Sequence, residues 1–472
     1  MSTRGGGSQA AGGHGGRSAS AYESDRFERQ YAAGKALRAK VPRESHAAWA
    51  PAPARPDPVR MLEQSSEGRV PELLPIRYGR MVRTPFAFYR GAAAIMAHDL
   101  STTPASGIRV QCAGDCHLVN FGGFATPERK LIFDINDFDE TLPAPWEWDL
   151  KRLAASFVIA ARDNGFKHRQ ARAAALACAA SYRKRMARYA ASPILKVWYA
   201  TISAEDAISA TSDVALQTAE RKRVRQAVAR SVPEDDFPKL TEERGGNPVI
   251  KDNAPLIFHP HGEEARTFRS RAEGAFAGYR ASLADDRRAL LDRYHLVDVA
   301  MKVVGVGSVG TRCGVLLLMA GRDDPLFLQV KEARASVLEP YAGKSGYENR
   351  GERVVAGQRL MQSASDIFLG WTETEFGHFY VRQLRDAKIK PLVATYSPSV
   401  LAEYGTLCGW ALARAHAKAG DAALIAGYVG RSDVLDEAIT DFAVAYADQN
   451  ASDHAAFKAA VRAGRIEVRL DS

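Results

Sequence analysis

Residues 113–153 read AGDCHLVNFGGFATPERKLIFDINDFDETLPAPWEWDLKRL. About forty residues hold a G-D-x-H-x-x-N turn from Gly114 to Asn120, an apolar run Leu131–Phe133 followed by three acids, and a W-D-L helix start at Trp148. Asp115 and Asn120 stand five residues apart on a predicted turn, and Asp137 follows Asn120 by seventeen. Asp and Asn also serve as plain turn and cap residues, because their short side chains bond nearby backbone groups. Three such features at compatible spacings in one segment point instead to a site.

That spacing resembles the catalytic segment of the aminoglycoside and choline phosphotransferases, distant relatives of the protein kinases. Phosphoryl transfer needs a carboxylate to orient or deprotonate the attacking hydroxyl, and hard oxygen ligands to hold Mg²⁺ across the nucleotide phosphates. The resemblance implies Asp115 in the first role and Asn120 and Asp137 in the second. His117 takes the second histidine position of the pattern, and Ala113 stands where its first histidine would be. In the resembling families the metal-binding Asp precedes an Asp-Leu helix start that braces the loop, and Asp137 lies twelve residues before Asp149 and Leu150. This favours Asp137 over Asp134 and Asp139, although three acids within six residues leave the register open. Asp149 is expected to be the brace.

The second informative region, residues 297–333, reads VDVAMKVVGVGSVGTRCGVLLLMAGRDDPLFLQVKEA. Gly305, Gly307 and Gly310, with Ser308 among them, form G-x-G-x-x-G between apolar, β-branched runs. Dinucleotide-binding folds use the same glycines ahead of a helix. Here Thr311 to Met319 is short and apolar and ends in the turn signal Gly321 to Pro325, so it reads as a strand. Strand, glycine turn, strand, turn and a strand ending in Lys331 is the order of a kinase nucleotide lobe, where loop amides cover the phosphates and the lysine contacts them. Such a lysine is normally held by a carboxylate on the next helix. The segment Gly346–Gln362 has helical spacing, with Glu352 as the expected partner and Glu348 as the alternate. Phe379 to Leu384 reads as a strand leading to a hinge, with Arg382 and Arg385 expected to be exposed.

Together these expectations invert the kinase order, since the catalytic loop precedes the nucleotide lobe. They define an α+β, kinase-like two-lobed fold with permuted order. Domain termini lie at the surface and often close together, so such a permutation is physically tolerable. The expected boundaries are a disordered tail and linker over 1–60, a mainly helical catalytic region over 61–296, a β-rich nucleotide region over 297–396, and helices packing on the catalytic region over 397–472.

Over almost its whole length the chain also resembles a family of bacterial proteins, domain of unknown function 2252. The matching residues are TPFAFYRGAA (Thr84 to Ala93), GDCHLVNFG, FDINDFDE, PWEWDLKRLAAS (Pro145 to Ser156) and RAHAKAGD (Arg414 to Asp421). That resemblance implies no reaction by itself, so function rests on the site.

Composition sets the remaining bounds. The chain has 472 residues, 46% hydrophobic and 25% charged, as expected of a globular protein of two or three domains. No apolar run reaches the 18 or more residues of a spanning helix, so no membrane association is expected. The glycine- and serine-rich N-terminus lacks the apolar core of a secretion signal. Five cysteines, an odd number and mostly within apolar segments, fit a reduced cytoplasmic protein. Cys112, Cys116 and His117 follow no familiar zinc spacing. The net charge of +9 raises nucleic acid as a partner. The basic runs Arg183–Arg188 and Arg221–Arg230, however, have helical apolar spacing and no interleaved aromatics, so they read as solvated helix faces. Attraction of an anionic nucleotide is the alternative use of that charge.

The sequence therefore predicts a phosphotransferase using ATP and Mg²⁺ on an unidentified hydroxyl acceptor, with AMP transfer as a variant. Two readings from other classes stand beside it. One is a nucleotide-binding interaction module without turnover. The other is a metal-dependent hydrolase built on Asp115, His117, Asp134, Asp137 and Asp139.

Overall fold

The computed structural model describes residues 19–229, 237–254, 256–303, 309–384 and 388–470, without the side chains of 19–25 and 263–268. Helices and antiparallel sheets occupy largely separate parts of the chain, an α+β arrangement. No helix among the described residues is long and apolar enough to cross a membrane.

The opening motif folds as two antiparallel pairs. Strand β1 (Arg109–Cys112) pairs with β4 (Leu142–Pro145), and between them β2 (Phe121–Ala125) and β3 (Leu131–Ile135) form a hairpin. A separate hairpin joins β5 (Thr241–Arg244) to β6 (Asn247–Ile250). The large sheet comprises β7 (Ile257–Phe258), β8 (His295–Lys302), β9 (Cys313–Met319), β10 (Pro325–Ala333), β11 (Gly370–Thr374) and β12 (Gly377–Gln383), in the order β11-β12-β10-β9-β8-β7. After β12 the chain returns to the first motif, where β13 (Lys388–Ile389) pairs with β2.

The sheet explains why β9 is apolar throughout. Successive side chains point to opposite faces, and both faces are covered. Leu316 and Leu318 pack with Tyr279 and Leu283, while Val315, Leu317 and Met319 pack with Ile250 and Phe327. This arrangement moves one expected boundary. The sheet takes its first strand from Ile257–Phe258 and is covered by the helix Gly262–Ala281, both inside the region expected to belong to the catalytic part. A two-residue strand carries no readable alternation.

The helix Trp146–Asp163 is buried along almost its full length. It is surrounded by the helices His168–Ala190, Pro398–Ala419 and Val434–Arg462. Gly409 lets two of these backbones meet, because a Cβ there would overlap the Cys178 carbonyl. The N-terminal expectation changes as well. Residues 19–37 form a helix against Ala422–Val429, Trp49 packs on Tyr446 at 5.2 Å, and Arg55 bonds Asp99 (2.7 Å) and Asp453 (2.6 Å). Composition suggested a tail through residue 60, but these long-range partners order it from Ala19 onward.

Candidate active site

The G-D-x-H-x-x-N loop is shaped by its glycine and by a buried carboxylate. Gly114 has φ +83, and a Cβ there would strike the Glu140 carbonyl, so no other residue fits the turn. Asp149 accepts the amides of Ala113 (2.6 Å) and Gly114 (2.9 Å). Behind it, His416 Nε2 lies 3.3 Å from the Asp149 carboxylate, and Tyr182 lies 3.0 Å from His416 Nδ1. Asp149 therefore braces the loop, and His416 belongs to that brace. Cys112 lies beside this pair, but burial and the charge of Asp149 push its thiol pKa upward, which leaves it a neutral thiol.

The loop presents Asp115 at the rim of a cleft of about 980 Å³ that is also lined by His117, Asn120, Asp137, Asp139 and Lys331. Asp115 Oδ1 accepts Arg152 Nε at 2.7 Å and a second bond from Arg152 Nη2. Arg152 is itself fixed over the Tyr89 ring, 4.4 Å from its centroid. Asn120 Nδ2 donates to the Asp115 carbonyl at 2.8 Å, which leaves its Oδ1 as the atom a hard cation would take. His117 is buried, and desolvation pushes its pKa down to about 3, so the ring is neutral. Its Nε2 lies 3.8 Å from Asp115 Oδ2.

The three clustered acids have three different environments. Asp134 is fully buried and paired with Arg414 at 2.7 Å, and it also takes the amide and hydroxyl of Ser363 (2.9 and 2.8 Å). It does not reach the cleft. Asp139 accepts Lys331 Nζ at 2.7 Å and the Tyr380 hydroxyl at 2.5 Å. Burial alone would raise its pKa, but these partners bring it to about 2. Asp137 lines the cleft without an ion-pair partner among the described residues. Burial, then the charge of Asp139, raises its pKa. A half-buried carboxylate in that condition is suited to a cation.

Lys331 comes from the sheet. Register places Lys331 opposite Tyr380 and Gln329 opposite Arg382, so these four side chains share the face that looks into the cleft. Burial opposes the ammonium charge, but Asp139, Tyr380 and Asp137 together outweigh it and keep the Lys331 pKa above its ordinary value. Glu352 is not the partner. The helix spans Arg350–Met361, capped by Asn349, and its phase turns Arg353 inward to the carbonyls of Thr141 (2.5 Å) and Asp139 (2.8 Å). Glu348 precedes the helix and is exposed. Arg382, expected at the surface, lines the cleft. Its alternation with Tyr380 along a strand whose neighbour carries Lys331 was the available signal. Nothing local marked Asp139 as the lysine's partner.

Gly305, Gly307, Ser308 and Arg385 lie outside the described residues. The strands on either side of the glycine run, β8 and β9, pair antiparallel, and no helix follows the glycines. Gly310, at the end of the run, has φ +86, and its carbonyl accepts Val70 N at 2.7 Å.

Glu140, on the same cleft, provides a pH test. Burial pushes its carboxyl up to about 7, despite a 2.7 Å bond from Val337 N. A folded pKa above the ordinary value means that the native state holds the proton longer than the unfolded chain, so stability falls as pH rises through that interval. Glu140→Gln is expected to stabilise the protein more at pH 8 than at pH 5 in thermal melts. An equal effect at both pH values would refute this.

Neither curated proteins nor solved structures match the chain. Residues 69–460 match the family described as uncharacterized proteins conserved in bacteria, DUF2252, and the chain belongs to that family.

Proposed function

We propose that the protein is an ATP- and Mg²⁺-dependent phosphotransferase of permuted kinase-like design, acting on a hydroxyl-bearing acceptor. One observation carries this reading. Lys331 and Asp139, 192 residues apart in sequence, pair in the same cleft as Asp115, Asn120 and Asp137. Charged groups of opposite sign, arranged in a cleft rather than buried in a core, match what phosphoryl transfer requires.

Asp137 and Asn120 would hold Mg²⁺, which when bound supplies neutralisation of phosphate charge. Asp115 orients the acceptor hydroxyl and takes its proton, while Arg152 holds the carboxylate in place. Lys331 and Arg382 face the phosphates, and Asp139 does for Lys331 what a helix glutamate was expected to do. The hydrolase reading loses support, because Asp134 is committed to Arg414 and Asp139 to Lys331, two of the ligands it needs.

The test is thermal stability with ATP, ADP and GTP, with and without Mg²⁺, followed by product analysis. Wild type is expected to gain about 2.7 kcal/mol at a hundredfold excess of ATP over Kd. Lys331→Ala is expected to lose that gain, and the nucleotide product is expected to be ADP. Stabilisation by no nucleotide would refute the proposal, and AMP as product would replace phosphate transfer with AMP-forming chemistry.

A further inference from the structure

The wall of the cleft beside Asp115 is more basic than a nucleotide site alone requires. It comes from two short helices, Leu74–Met81 and Pro85–Gly91, which supply Arg77 and Arg90. Arg69 and Arg334 line the same cleft further toward Gly310. Backbone carbonyls help to hold three of these arginines. Arg69 donates to Val309 O at 2.7 Å, Arg77 to Gly91 O at 2.8 Å, and Arg334 to Ser65 O at 3.0 Å. Carbonyls hold a guanidinium in place without cancelling its charge. Neither Arg69, Arg90 nor Arg334 has an ion-pair partner among the described residues, and Arg90 Nε is buried without any hydrogen bond.

Arg77 is 1% exposed. Its bond to Gly91 O ties it to the end of the helix that carries Arg90, so the two charges form one unit. Both sense Asp115, the expected base, and Arg90 also senses Asp137. Burial lowers the pKa of each, and Arg90 has no ion-pair partner among the described residues to offset it. Of the carboxylates they sense, Asp115 is engaged by Arg152 and Glu140 by Val337 N, and Asp137 is the proposed metal ligand. Guanidinium forks match phosphate oxygens in geometry as well as charge. Aminoglycosides and choline are cations, and this wall would repel them.

Resting on the phosphotransferase reading, we propose that the acceptor carries a phosphate group of its own, which Arg90, with Arg77 tied behind it, holds beside Asp115. The acceptor oxygen forms a bond to the γ-phosphorus of ATP while the bond from that phosphorus to the β,γ-bridging oxygen breaks. ADP leaves with the electron pair, and the hydroxyl proton passes to Asp115.

The experiment titrates orthophosphate into the full chain saturated with Mg²⁺ and β,γ-imido ATP, read by calorimetry, with acetate at equal ionic strength as control. Wild type is expected to bind phosphate without displacing the nucleotide. Arg90→Gln should weaken phosphate at least tenfold and leave nucleotide affinity within threefold, and Arg90→Lys should recover part of the loss. Phosphate that competes with the nucleotide, equal binding of acetate, or unchanged phosphate affinity in Arg90→Gln would each overturn the proposal. Failure of the nucleotide to bind at all would instead refute the phosphotransferase reading, on a separate readout.

Discussion

Asp137→Asn is expected to raise the melting temperature of the nucleotide-free protein and to abolish its Mg²⁺-dependent stabilisation by ATP. Both effects follow from one environment. Asp137 is a carboxylate whose pKa is raised by burial and by Asp139 against the opposing charges of Lys331 and Arg382, and it has no ion-pair partner among the described residues. A raised carboxyl pKa means that ionisation costs stability above the ordinary carboxylate range, so a neutral amide relieves that cost at neutral pH. The amide also removes a charged ligand for Mg²⁺. If the metal supplies about 4 kcal/mol of transition-state stabilisation, turnover falls about a thousandfold. Thermal melts at pH 7 with and without Mg²⁺ and ATP check both effects together. A variant that melts lower without nucleotide and keeps the Mg²⁺ dependence would show that Asp137 is structural.

Asp134→Ala is expected to do the opposite. Asp134 and Arg414 are both fully buried, and Arg414 also donates to Met361 O at 2.6 Å. Removing one member of a buried pair strands the other charge in a low-dielectric interior, at a cost of about 3–5 kcal/mol. A double replacement, Asp134→Leu with Arg414→Met, should recover most of that loss, because no charge is then stranded. Mg²⁺-dependent stabilisation by ATP should persist in the double variant. Denaturant melts decide this, and a single-variant cost under about 1 kcal/mol, or loss of the Mg²⁺ response in a folded double variant, would reverse the assignment of Asp134 and Asp137.

The contrast between these neighbouring acids shows where sequence reading stopped. The run FDINDFDE places three carboxylates on a strand end and turn, and spacing to Asp149 pointed to Asp137. Separating them by role required Arg414 and Lys331, which come from distant parts of the chain. The same holds for the arginine wall. TPFAFYRGAA was legible as a distinctive segment, but Arg90 gained meaning only when its helix packed beside the loop carrying Asp115.

By itself the sequence determined what depends on near neighbours. That includes the glycine-dependent turn at Gly114, the Asp149 brace at the start of its helix, and the apolar β9 after the glycine run. Each rests on backbone conformation or side-chain periodicity over a few residues, and these are local. Tertiary structure alone decided that Asp139 rather than Glu352 holds Lys331, that Arg382 faces the cleft, and that residues 19–60 are ordered. Those outcomes depend on the phase of one helix, the register of one strand pair and contacts across hundreds of residues, all of which are set when the packed core forms.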